Sequence, residues 1–90
     1  MEERIILLLF VNKNNSDTEV KIAKLKLVLD KKIAGQYELT ILDIFDNWQQ
    51  AKAANIIVTP TLFKVSPLPI AKVTGDMSDS ELLLKLLGIT

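Results

Sequence analysis

The 90-residue chain contains no cysteine and no histidine. The first absence removes disulfide exchange and thiol nucleophiles, the second removes Ser-His catalysis, and together they remove nearly every zinc site. Oxygen ligands remain, but no acidic run has the spacing of a calcium loop, so neither a metal nor a cofactor is expected. Excess charge of either sign is also lacking, since 11 Lys and Arg balance 11 Asp and Glu. That balance leaves no electrostatic footprint for nucleic acid or for an anionic membrane. Glycine and proline number three each and 49% of residues are hydrophobic, which favours a packed globule over a disordered segment. No apolar run reaches membrane-spanning length. Ile5-Ile6-Leu7-Leu8-Leu9-Phe10-Val11 follows Arg4, but it is too short to cross a bilayer and no small-residue cleavage site follows it. We expect one domain over residues 1–90, with one small core, in a soluble cytoplasmic protein.

The stretch Ile56-Ile57-Val58-Thr59-Pro60-Thr61-Leu62-Phe63-Lys64-Val65 organises the rest. Proline has no amide hydrogen and pushes the preceding residue towards extended geometry, so Thr59 closes a loop and Thr61 opens a strand, at an edge if nothing else intervenes. The trans preference of an X-Pro bond is only about 0.5–1 kcal/mol, which makes Pro60 a candidate for a structural cis peptide. Pro67 and Pro69 are expected to hold a loop extended.

Residues 4–11 read as a strand apolar on both faces, central in an α/β sheet. Ser16-Asp17-Thr18-Glu19 has capping-box spacing, with Ser16 as cap and Glu19 answering, and opens a helix over 17–33. Ile22, Leu25, Leu29 and Ile33 give that helix an inward stripe, while Lys21, Lys24, Lys31 and Lys32 form a solvated face. Gly35 ends it. Residues 38–45 form a second strand, with Leu39, Ile41 and Phe45 on one face and Leu42 and Ile44 on the other. A strand-helix-strand unit implies parallel pairing. Asp43, at the strand end, is expected to cap or meet solvent, because no partner acid or base for catalysis can be named.

Asp46-Asn47-Trp48-Gln49 repeats the capping spacing, with Asp46 as cap, and starts a short helix over 47–54 in which Trp48 is expected to pack. Residues 70–74 form a fourth strand antiparallel to the third. Gly75-Asp76 turns the chain, and Ser78-Asp79-Ser80-Glu81 opens a last helix over 79–87. Leu82, Leu83, Leu84, Leu86 and Leu87 spread over more than half of that helix's circumference. Two readings stand side by side: spare leucines at an oligomer or partner contact, or a chain end wrapped into the core.

The resulting order is βαβαββα with a mixed four-stranded sheet, an α/β arrangement that resembles the thioredoxin-like fold. Thioredoxin chemistry needs a Cys-x-x-Cys pair at the start of the first helix, and here that position reads Asn14-Asn15-Ser16-Asp17. An enzyme is therefore not expected. Val58-Thr59-Pro60-Thr61-Leu62-Phe63-Lys64-Val65, followed by Pro67, Pro69 and Gly75-Asp76-Met77-Ser78, resembles the hallmark of the KaiB family, known from bacterial circadian clocks. The resemblance runs from Leu7 to about Leu87 and takes in Gly35-Gln36-Tyr37-Glu38-Leu39 and Asp43-Ile44.

That resemblance implies a non-catalytic protein that binds a KaiC-type ATPase in a clock or a stress response and assembles as a homo-oligomer, dimer or tetramer. It also implies a second, resting fold in which the N-terminal βαβ is kept and the C-terminal half is rebuilt. By the resemblance, Asn47, Gln50, Lys52 and Asn55 would meet the partner, Pro60 would shape the adjoining strand edge, and Leu83, Leu84 and Leu87 would serve oligomer contact or fold switching. The sequence departs from cyanobacterial members at three places. Asn55 stands where they carry a lysine, Leu86-Leu87-Gly88 replaces a Gly-x-Asp, and Asn12-Lys13-Asn14-Asn15 replaces an Ala-Gly-containing turn. Two other readings on the same scaffold are a sensor domain like that of the SasA histidine kinase and a redox-inactive glutathione- or peptide-binding protein.

Overall fold

The uncharged run Ile5–Val11 forms β1, and everything else is built against its two faces. The computed structural model describes residues 4–75 and 77–89, so the Asp76 part of the expected turn lies outside the described residues. In chain order β1 is followed by α1 (Thr18–Ile33), β2 (Tyr37–Asp43), α2 (Trp48–Ala53), β3 (Thr61–Ser66), β4 (Ala71–Thr74) and α3 (Ser80–Leu86). This is the expected βαβαββα order. The strands lie in the order β2-β1-β3-β4, which makes β3 an inner strand and not an edge. β1 pairs parallel with β2 and antiparallel with β3, and β3 pairs antiparallel with β4, as the connection lengths require. Among the described residues no helix is long and apolar enough to cross a membrane.

Strand alternation sends Leu7, Leu9 and Val11 to one face, where Leu25, Leu29 and Ile33 of α1 and Leu83, Leu84 and Leu87 at the chain end bury them. Phe10 goes to the other face, beneath Ala51 and Ile56. Ile22 is half-buried and the lysines of α1 are exposed, so the predicted stripe and solvated face both hold. Gly35 takes φ +75 where α1 turns into β2. At the start of β2 the Tyr37 hydroxyl donates to Asp30 at 2.8 Å, and burial, reinforced by that carboxylate, pushes its pKa up to about 12.

The caps differ from the sequence pattern. Asp17, not Ser16, precedes α1 and makes no side-chain cap bond; its carboxylate pairs instead with Lys21 one turn on, at 3.2 Å. β2 stops at Asp43, so Phe45 falls in a turn and is exposed rather than aligned with Leu39. At α3 the cap is Asp79 rather than Ser78, its carboxylate accepting from the amides of Glu81 and Leu82 at 3.1 Å each. Such shifts arise because neighbouring oxygens compete for the same few free amides, and backbone geometry at each helix entry decides which one reaches them. β4 likewise begins at Ala71, leaving Ile70 exposed.

All three X-Pro bonds are cis, those at Thr59-Pro60, Ser66-Pro67 and Leu68-Pro69. The weak trans preference applies to any X-Pro bond, so Pro60 is not singled out and the segment around Pro67 and Pro69 is not simply extended. The last helix is in part wrapped into the core. Leu83, Leu84 and Leu87 are buried in the core, so in this fold they are not available to another chain, while Leu82 and Leu86 remain about half exposed. One residue breaks the core's chemistry: Lys64 follows Leu62 on the same face of β3, is 0% exposed, and its ammonium has no hydrogen-bond partner among the described residues. A side chain at Gly88 would place its Cβ 3.5 Å from that ammonium.

Candidate functional site

The end of β2 sets up the region around α2. Asp43 accepts from the amides of Lys13, Phe45 and Asp46 at 2.9, 3.0 and 3.1 Å, fixing the turn that delivers the chain into α2. The Lys13 amide, ahead of the other two, holds the Asp43 carboxyl below the usual carboxylate range. Asp46, expected as the helix cap, pairs instead with the Lys13 ammonium at 2.6 Å and thereby raises the lysine's pKa. Asn47 stands at the cap position without a side-chain cap bond, and its side-chain amide donates to the Asp43 carbonyl at 3.0 Å.

The inner side of α2 is small: Ala51 is buried against Phe10 and Ala54 is half-buried. Alanine allows the helix backbone to approach the sheet closely, and it is also the strongest helix former. The exit is a Schellman motif. The Asn55 amide donates to the Lys52 carbonyl at 3.1 Å and the Ile56 amide to the Ala51 carbonyl at 2.8 Å, while Ile56 packs beside Ala51. Asn55 occupies the left-handed position with φ +58, a conformation asparagine tolerates better than most residues. α3 ends the same way, with Gly88 at φ +71 in the equivalent place. Lys72 of the edge strand β4 donates to the Ala54 carbonyl at 3.0 Å, closing the C-terminal end of α2. Beyond it, the Thr61 hydroxyl donates to the Val58 carbonyl at 2.7 Å and folds the chain around Pro60.

The expected partner residues fall into two groups. Gln50, Lys52 and Asn55 are exposed on α2 and its exit, whereas Asn47 is half-buried and engaged internally. The sequence reading missed the apolar members of this surface. Trp48, expected to pack, is 58% exposed, and Ile57 is 88% exposed, with Val58 and Phe45 also out in solvent. The signal was present in the helix phase: an inward line through 47, 51 and 54 points position 48 away from the sheet.

The segment Asn14-Asn15-Ser16-Asp17 is a polar turn in which the Asn12 side chain accepts from the Asn14 amide at 3.0 Å. The chain has no thiol. Among the described residues no group of acidic side chains could hold a metal ion. Exposed aromatic and aliphatic side chains beside neutral polar ones are what a protein-docking surface presents.

A family model, the KaiB domain, matches residues 8–89. The circadian clock oscillator protein KaiB of Synechococcus elongatus is 39% identical over 79 residues, which is 88% of this chain and 78% of that protein. The circadian clock protein KaiB3 of a Synechocystis strain is 35% identical over 81 residues, 90% of this chain and 79% of the other. Among solved structures, the N-terminal domain of Synechococcus elongatus SasA superposes with a TM-score of 0.80 at 22% identity, covering 99% of this chain and 85% of that one. The Drosophila melanogaster thioredoxin Deadhead superposes with a TM-score of 0.71 at 15% identity, covering 97% of this chain and 81% of the other. The two structures establish a thioredoxin-like fold.

Proposed function

This chain belongs to the KaiB family, and on that premise we propose that it is a cytoplasmic regulatory protein that docks on a KaiC-type ATPase in a circadian or stress-response system. The family is non-catalytic, and the chain lacks the cysteines of thioredoxin chemistry. The observation that carries the docking part is the exposed surface of α2, where Trp48, Ile57 and Val58 stand beside Gln50, Lys52 and Asn55. The apolar side chains supply the desolvated centre of the contact and the polar ones its rim. Asn47 holds the helix entry, and Pro60 shapes the strand end behind it. The kinase-sensor reading has only the fold in its favour, at 22% identity.

The test is size-exclusion of this chain with the KaiC-type ATPase of the same organism, incubated with ATP for hours. Co-elution is expected, and Trp48→Ala together with Ile57→Asp should reduce it by tenfold or more, the scale of a hot-spot loss of roughly 2 kcal/mol. Persistent separate elution of the unaltered chain would overturn the assignment. We propose that any self-association uses Leu82 and Leu86, a reading supported by their half-exposed side chains. Leu82→Glu with Leu86→Glu should lower the oligomeric mass seen by sedimentation.

A further inference from the structure

On the side of the sheet away from α2, a cleft of about 550 Å³ opens between α1 and the segments around Pro60 and Gly75. Its size is that of a small-ligand site. Leu9, Val11 and Leu25 form an apolar floor, each 5% exposed or less, and Val28 and Met77 extend it. Two cations of α1, Lys21 and Lys24, stand on its wall. Lys21 is paired with Asp17 at 3.2 Å, but Lys24 has no ion-pair partner among the described residues. None of the described lining residues is acidic.

We propose that this cleft binds a small amphipathic monocarboxylate, with its apolar body on Leu9, Leu25, Val28 and Met77 and its carboxylate on the Lys24 ammonium. The apolar floor suits a hydrocarbon body, while the polar side chains of the lining, among them Asn12, Asn15, Thr18, Thr59 and Thr74, stand around it. An ammonium that is unpaired among the described residues favours a single negative charge. The cleft floor lies on the opposite face of the sheet from α2 and meets the proposed docking surface only at its rim, at Val58, and its occupancy can be measured with no partner protein present.

The experiment is a titration of the intact chain, followed by amide shifts, with decanoate below its micelle concentration and in parallel with decyltrimethylammonium. Saturable shifts at Leu25, Val28 and Met77 are expected with decanoate, at an affinity at least about tenfold above that of the cation, the scale of one charge-assisted hydrogen bond. Lys24→Gln, a substitution of an exposed side chain, should weaken decanoate by about the same factor, and Val28→Trp should fill the cleft and abolish the shifts. Equal affinity for the two amphiphiles, an unaltered affinity in Lys24→Gln, shifts centred on Trp48 and Ile57, or no saturable shift at all would each overturn the proposal.

Discussion

One face of the sheet carries two helices, of 16 and 7 residues, and there Leu7, Leu9 and Leu62 are each 2% exposed or less. The other face carries α2 alone, with 6 residues, and while Phe10 is buried beneath it, Leu8, Leu42 and Phe63 stay half-buried. A helix of that length reaches only about 9 Å, so it covers the middle of its face and no more. The two faces divide the work. The thick one supplies most of the apolar burial that opposes chain entropy, and the thin one leaves aromatic and aliphatic surface available to another protein.

The sharpest test of this division is a pair of truncations. Leu29→Ala, at 1% exposure on the thick face, should cost about 2–5 kcal/mol in urea unfolding. Trp48→Ala should change stability by less than about 0.5 kcal/mol, because it removes surface that is already wet. Equal losses would erase the distinction between the faces.

Lys64 probes a flaw in the thick face. Lys64→Met removes a buried polar group that has no partner among the described residues while keeping much of its length, and should stabilise the fold by about 1–3 kcal/mol. A raised urea midpoint at unchanged slope is the expected signature. A loss of stability would mean that the ammonium is satisfied by something that the hydrogen-bond pattern does not reveal. Asp79→Ala, which removes two cap bonds from α3, should cost about 0.5–2 kcal/mol.

The smallest effect belongs to the turn that introduces α2. The folded pKa of Asp43 is lowered, chiefly by the Lys13 amide. Its contribution to stability is therefore present above the ordinary carboxylate pKa and is lost as pH falls through the lowered folded value. A carboxyl titration followed by NMR should place the Asp43 midpoint below the usual aspartate range, and Asp43→Asn should flatten the acid limb of the stability profile.

Much of this fold was legible because it rests on periodicity. The apolar run of β1, the stripe of α1 and the spacing of β3 and β4 each allow one placement that buries their side chains. Caps were less legible, since Asp17, Asp46 and Asp79 each have competing oxygens within two residues and the winner depends on backbone angles. Lys64 was illegible for a different reason. Strand parity with Leu62 points it inward, but a charged residue is ordinarily read as facing out. At the candidate site Gln50, Lys52 and Asn55 were legible as exposed polar positions through the resemblance. Trp48 was not, because an aromatic residue suggests packing until the phase of a helix with alanines on its inner side is worked out.

The bond from Lys72 to the Ala54 carbonyl gives the edge strand a hold on α2. β4 is the outermost and shortest of the strands, at 4 residues, and is attached on one side only. Were it to peel from β3, the helix would lose its distal anchor and Asn55 its neighbour. Anything that competes for that strand thus acts from behind on the surface proposed for docking, with no need to touch Trp48 or Ile57.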